Sequence, residues 1–360
     1  MASQHCVVLG AGLMGRLMAW ALSEQGHQVQ VHEAQAPSVQ GSAAWVAAAM
    51  LAPLAESAIT ELSVVRMGAY GLTRWPSLLA RLQQKVFFQQ LGTLVVWHRQ
   101  DLPEANRFAS KLSDTRQQLP ELEAPVSLDR LALQALEPSL AESFQQGLYL
   151  PGEAQLDNRQ LLNALLHQLK NPLVTLHYSS QVSPDQFTQA DWVIDCRGIG
   201  ARTDWTHLRG VRGEVVRVHA PEVQLSRPLR LIHPRYPLYI APKQEGVFVI
   251  GATEIETDDT SPASVRSSLE LLSAAYSVHK GFAEARILEI NAQVRPTLAD
   301  NLPAIRLQGQ GHIHINGLYR HGFLIAPAML DIVMELLQCG HSALADRFNL
   351  RVERSEAAIA

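Results

Sequence analysis

The amino-acid sequence reads as an α/β protein: a Rossmann-like nucleotide-binding domain joined to an α+β domain with an antiparallel mixed sheet. Its first 34 residues spell strand, helix, strand around a run of glycines. Strand-then-glycine pieces return near residues 195 and 315. Between them, from Gly213 to Thr253, lie several strand-like stretches. One domain is therefore expected to be assembled from non-contiguous segments, with a β-rich domain inserted between them.

His5 to Leu9 is short and mostly apolar, as suits a strand buried on both faces. Leu13, Leu17, Met18, Ala21 and Leu22 then recur at helical spacing, and Gly26 supplies a stop. Gln28 to His32 alternates around Val29 and Val31 as a second strand, which completes a βαβ unit with a right-handed crossover. Ile59 to Gln84 reads as helical with a break at Trp75-Pro76, and Val86 to His98 as a hairpin about Gly92. Asn158 to Leu169 is an amphipathic helix, followed by strands at Leu173–His177 and Trp192–Asp195. Further strands are expected at Glu214–His219, Leu229–Ile232, Pro237–Ala241, Val247–Ile250 and His312–Asn316, with Ala283–Val294 extended. Ser264–Tyr276 and a closing Ala328–Gln338 read as helices.

At 360 residues the chain is long enough for two domains of about 150 residues each. Its 47% apolar and 18% charged content is that of a soluble globular protein rather than a disordered or fibrous one. The formal charge of −4 provides no positive field to draw in nucleic acid or anionic lipid. Cys6, Cys196 and Cys339 are too scattered for a disulfide framework or a zinc site, so a reduced, cytoplasmic protein without a metal is expected. The longest weakly polar run, Ala43 to Ala55, is shorter than the roughly 20 residues of a membrane span and contains Pro53.

Gly10-Ala11-Gly12-Leu13-Met14-Gly15 fits G-x-G-x-x-G between a strand and a helix. The first glycine permits the tight turn, the second lets a pyrophosphate approach the backbone, and the third allows close helix–strand contact. The helix start offers free N–H groups and a positive dipole end to phosphates. Glu33, at the end of the second strand, is placed to accept hydrogen bonds from ribose hydroxyls, which disfavours NADP. The fingerprint leaves NAD and FAD both open.

The segment from Ser42 through Ala49 and Met50 to Pro53 resembles the loop and helix after the second strand in the D-amino-acid oxidase and glycine oxidase superfamily, and more specifically in ThiO-type glycine oxidases of thiamine biosynthesis. Similar stretches follow in order: Gly152–Asp157, Gly213–Val216, Leu238–Lys243, Gly251–Glu254, Val294–Thr297 with Asp300 and Pro303, and Gly317–Pro327. The resemblance runs from about residue 5 to 338. It implies an FAD-binding domain of GR2 type and oxidation of a small amino acid at its α-carbon, with O2 as acceptor. It divides the chain into FAD-binding segments 1–84, 151–210 and 291–360 and substrate-domain segments 85–150 and 211–290. Cofactor contacts are implied for Gly10 to Gly15, Glu33, Ser42, Ala49, Met50, Val182, Gly198, and Arg320 to Leu324. Two departures stand out. Ala49 replaces a usual glycine, and Cys196-Arg197 stands where small residues are common.

Such an oxidase must anchor a carboxylate, present Cα–H to the flavin, and stabilise charge on the reduced ring. An arginine fork binds a carboxylate bidentately, and the resemblance assigns that task to Arg295, with Tyr239 as a phenolic donor and Arg320 as an orienting cation. Outside that context an Arg-Pro pair is a surface turn, and a strand tyrosine packs its ring. Pro327 suits the first turn of a helix whose positive end could face the flavin. No general base is compelled, since hydride transfer from a well-placed neutral amine relies on orientation. His98 and His321 read as structural or surface residues. Arg227, Arg230, His233 and Arg235 read as a solvated strand edge or a contact in a homo-oligomer. His312 and His314 share a strand face without a third metal ligand, and Cys196 reads as a small buried hydrophobe. Competing readings are a sarcosine- or D-amino-acid-oxidising relative, a flavin dehydrogenase with another acceptor, a nicotinamide dehydrogenase, and a flavin-carrying regulatory protein without turnover.

Overall fold

The glycine-rich start of the chain is where the first sheet forms. The computed structural model describes residues 3–37, 41–140, 142–233, 238–309 and 311–355. Among them, a seven-stranded sheet runs in the order Arg351–Ser355, Ala304–Gln308, His312–Asn316, Trp192–Asp195, His5–Leu9, Gln28–His32, Val174–His177. The last five are mutually parallel, and Ala304–Gln308 runs against His312–Asn316. Val7, Val8 and Leu9 are fully buried, as a central parallel strand covered on both faces requires. The Leu13–Glu24 and Gly322–Cys339 helices share one core with this sheet. The latter is long and apolar enough to cross a membrane by length and composition, but most of it packs inside the fold.

A nine-stranded, largely antiparallel sheet forms the second layer system. Its long strands Arg209–His219 and Arg286–Thr297 pair with each other, placing Val211 opposite Arg295. Leu238–Pro242 pairs with Val247–Gly251, placing Tyr239 opposite Gly251. Alternation along these strands sends Val216, Val218, Ile240 and Ile250 into a second core beneath the Val265–Val278 helix. A small three-stranded sheet links Met50–Leu51, Ala154–Leu156 and Phe88–Gln89.

Several local expectations are corrected. Val86–His98 is not a hairpin. Phe88–Gln89 pairs with Ala154–Leu156, whereas Thr93–Trp97 lies between Gly147–Leu150 and Leu229–Ile232 in the large sheet. Gly92, at φ 75°, turns the chain from one sheet to the other. The Leu62–Leu79 helix runs through Pro76 without a break, carrying the fully buried Trp75. Ala283 lies in a 3-10 turn, Lys280–Glu284, ahead of the Arg286–Thr297 strand. Pro237 lies outside the described residues.

The Gly322–Cys339 helix starts five residues before Pro327, which therefore sits inside it and not in its first turn, and a further helix, Ala343–Phe348, follows. A proline there cannot bond the carbonyl four residues back. That carbonyl, of Phe323, instead accepts from the Trp75 indole N–H at 2.9 Å. The tertiary contact therefore supplies the missing donor.

Glu153 joins the small sheet to the segment that precedes the Leu62–Leu79 helix. It is buried, and its Oε1 accepts from the Ala55 N–H at 2.7 Å. Burial raises its carboxyl from 4.5 to about 7. The folded state therefore takes up a proton between these values, and stability falls as pH rises through them. Glu153→Gln should stabilise the fold above pH 7 by on the order of 1–3 kcal/mol and leave it unchanged near pH 4. Denaturant titrations at both pH values check this, and an equal effect at both would remove the buried-carboxyl explanation.

Candidate active site

A cavity of about 1800 Å³ runs from the glycine-rich turn to the faces of the large sheet. At one end it is lined by Gly10 to Met14, Glu33, Ser42, Val182 and Gly198, and at the other by Tyr239, Arg295, and Arg320 to Leu324. Ala49 and Met50 also line it. Gly15 is not in the lining. A Cβ there would stand 1.8 Å from the Gly10 carbonyl, so this glycine permits the helix to meet the turn. At Gly12, by contrast, a Cβ would meet only Ser42 Cβ, at 3.8 Å, so that backbone faces open space. Glu33 Oε2 accepts from the Ala11 N–H at 2.7 Å, which fixes the turn.

Beyond the turn, the two departures acquire reasons. Ala49 has φ 53°, the left-handed region that glycine adopts freely. Arg197 pairs with Asp195 at 2.7 Å and with Asp204, and donates to the Val182 carbonyl at 3.2 Å. It thus ties the Val182 and Gly198 loops together. Burial pushes the Cys196 thiol well above its ordinary value, so it stays protonated. His314 Nδ1 lies 3.2 Å from Asp195 Oδ2 and belongs to the same polar knot.

At the far end, the Gly322–Cys339 helix begins against the cavity. The first backbone donation into it comes from Ile325 N to the His321 carbonyl, at 3.0 Å. The N–H groups of Gly322, Phe323 and Leu324 therefore lie at a positive helix end. His321 is 3% exposed. Burial, then Arg320, Arg230 and Arg295, hold its imidazole far below its ordinary value and keep it neutral.

Arg295, Tyr239 and Arg320 converge here. The Arg295 guanidinium lies over Gly213, where a Cβ would be 2.1 Å from Nη2, and donates from Nη1 to the Thr253 carbonyl at 3.2 Å. Tyr239 projects its hydroxyl across Gly251, whose Cβ would be 2.6 Å from it. Burial raises the Tyr239 phenol while three arginines, 295, 320 and 230, pull it down, so it is a neutral donor. Arg320 is braced by Glu56, Nε to Oε2 at 3.2 Å, and by Glu254, Nη1 to Oε2 at 3.1 Å. The Tyr319 hydroxyl also donates to Glu254.

Two residues at this end were not expected in the cavity: Glu56 went unassigned in the sequence, and Arg230 was read as a solvated edge. Glu56 is 7% exposed and pairs with both Arg230 and Arg320. Arg230 lines the cavity, so the expected solvated edge is corrected there. Arg227 is engaged by Glu137 at 2.8 Å, and Arg235 lies outside the described residues. The one sequence signal for Arg230 was its place in a strand of alternating Leu and Arg, and parity was not assignable. Among the described residues, Arg295 alone of the arginines grouped here, 230, 295 and 320, has no carboxylate partner.

Lys243, also unassigned, follows the Tyr239 strand. Its ammonium donates to the carbonyls of Ala48 at 2.9 Å and Leu156 at 2.7 Å, and to Gln155 Oε1 at 3.1 Å. It clasps the cavity wall around Ala49 to the small sheet. Burial lowers its pKa to about 7, with Asp157 opposing the shift.

The signature of the FAD dependent oxidoreductase family, DAO, matches residues 5–336. A thiamine biosynthesis oxidoreductase, ThiO, of Rhizobium etli is 41% identical over 331 residues, covering 92% of this chain and 95% of that one. Two solved structures share the fold. Iminodiacetate oxidase from a Chelativorans species has a TM-score of 0.80 at 20% identity, covering 97% of this chain and 100% of that one. Glycine oxidase from Geobacillus kaustophilus has a TM-score of 0.79 at 21% identity, covering 95% and 96%. The open backbone at Gly12 and the free helix start at Gly322 fit the phosphates and the ring of FAD.

Two outcomes are expected from this geometry. Lys243→Met removes all three donors, and titration of the apoprotein should show FAD affinity reduced by about tenfold or more. Gly213→Ala forces the Arg295 guanidinium aside, and substrate KM should rise ~10- to 100-fold with the flavin retained. An unchanged KM would mean that the guanidinium position does not matter.

Proposed function

The chain belongs to the DAO family of FAD-dependent oxidoreductases and is of the ThiO and glycine oxidase type; on that footing we propose that it oxidises glycine or a similarly small amino acid. Arg295 carries this reading. It is a half-buried guanidinium lining the cavity beside a neutral phenol, with no carboxylate of its own, so the group it suits is a substrate carboxylate. Tyr239 donates a second hydrogen bond to that carboxylate, and Arg320, braced by Glu56 and Glu254, orients the bound amino acid, whose amine is neutral when the hydride leaves.

FAD, when bound, supplies the hydride acceptor and, on reoxidation by O2, hydrogen peroxide. The turn at Gly10 to Gly15, with Glu33, Ser42, Val182 and Gly198, would hold its nucleotide end. Ala49, Met50 and the helix start at His321 to Leu324 would hold its ring. The free N–H groups at that start stabilise negative charge placed before them. With carboxylate and ring both fixed, the Cα–H is positioned by the protein and no side chain need remove it as a proton. The balanced reaction is glycine plus O2 plus water giving glyoxylate, ammonia and hydrogen peroxide, through hydrolysis of an imine. The 41% identical ThiO supports a further reading, that the imine feeds thiazole synthesis for thiamine.

Anaerobic mixing with glycine should bleach the flavin spectrum, and aerobic turnover should release one peroxide per glyoxylate. Arg295→Ala should raise KM at least tenfold with FAD still bound. A kinetically silent Arg295→Ala would place the carboxylate elsewhere, and a flavin that no small amine reduces would overturn the assignment.

A further inference from the structure

Around Arg295 the cavity groups three arginines, 230, 295 and 320, with two carboxylates, Glu56 and Glu254. Arg230 and Arg320 share Glu56, and Arg320 reaches Glu254 as well. His321, with Nδ1 3.4 Å from Glu56 Oε2, is held neutral and adds no charge. Within this group the excess is one positive charge, on Arg295. A single substrate carboxylate brings the end to neutrality. A second carboxylate meets two arginines whose charge is already taken, and its desolvation is left without compensation.

Glu56 cannot easily swing away. It ends the short Pro53–Glu56 helix, its N–H donates to the Ala52 carbonyl at 3.0 Å, and the preceding Ala55 N–H is held by Glu153. Its carboxylate is buried at 7% exposure beside the cavity that Arg230 and Arg320 line. It occupies, as part of the protein, the place that a second substrate carboxylate would need.

We propose that Glu56 is the residue that restricts this site to amines bearing one carboxylate, by holding Arg230 and Arg320 in ion pairs that a dicarboxylic amine would have to break. This rests on the reading of Arg295 as carboxylate anchor. Neutralising Glu56 leaves Arg230 without a carboxylate and Arg320 with Glu254 alone, and a dicarboxylic amine can supply the missing anion.

The test compares holoenzyme kcat/KM for glycine and D-alanine with that for D-aspartate and N-carboxymethylglycine, in the native protein and in Glu56→Gln. The native protein should prefer the monocarboxylates by about 100-fold or more. Glu56→Gln should narrow that preference at least tenfold, through a rise in kcat/KM for the dicarboxylates. A preference unchanged within about twofold, or an equal loss on all four substrates, overturns the proposal. A second measurement needs neither the variant nor turnover: titration of the native flavin spectrum with acetate and with malonate. Acetate should bind at least tenfold more tightly, and malonate binding as tightly as acetate overturns the proposal. A native enzyme that no amine reduces would refute the proposed function, while this titration would still read out the charge restriction.

Discussion

A guanidinium drawn into the protein without an anion is costly, and the Arg295 end of the cavity is arranged around one. The Arg209–His219 strand presents glycine at position 213 so that Arg295 can lie flat against it, and the Thr253 carbonyl accepts one of its protons. Arg230 and Arg320, which would otherwise raise the local charge further, are each matched with a carboxylate. What is left is a focused positive centre beside a neutral phenol and a helix start. The cavity thus has polarity as well as shape.

That polarity depends on a short stretch of chain that belongs to neither large sheet. The small apolar run from Ala43 to Glu56 passes along the cavity wall and ends on Glu56. It has few side-chain polar groups with which to fix itself, so other elements do so. Asn158 donates to the carbonyls of Ala44 and Trp45 at 2.9 and 2.7 Å. Arg159 covers the Trp45 ring, Lys243 holds the Ala48 carbonyl, and Glu153 holds the Ala55 amide. The wall is thereby clamped by residues from the start of the Asn158–Gln168 helix, the small sheet and the end of the Tyr239 strand.

The βαβ start and the strands Leu229–Ile232 and His312–Asn316 were legible because each rests on local periodicity and glycine punctuation. The misread places share a different cause. Pro76 and Pro327 are local helix breakers, yet both helices continue, and at Pro327 the buried Trp75 indole satisfies the Phe323 carbonyl that the proline cannot. Gly92 gave a turn signal, but a turn does not say whether the following strand returns to its neighbour or leaves for another sheet. Arg230 looked like a solvated charge because its partner, Glu56, is 174 residues away in sequence.

Taken alone, the order of residues determined which chemistry this chain can perform. The glycine turn that admits a dinucleotide, the acid after it, and the Arg-Pro and Tyr-Arg-His-Gly segments are encoded at fixed spacing, because backbone sterics and side-chain chemistry act over a few residues. Tertiary structure alone decided which arginine is free. Whether a guanidinium is spent on the protein's own carboxylate or kept for a ligand depends on distances between strands and helices far apart in the chain. No local pattern carries that information.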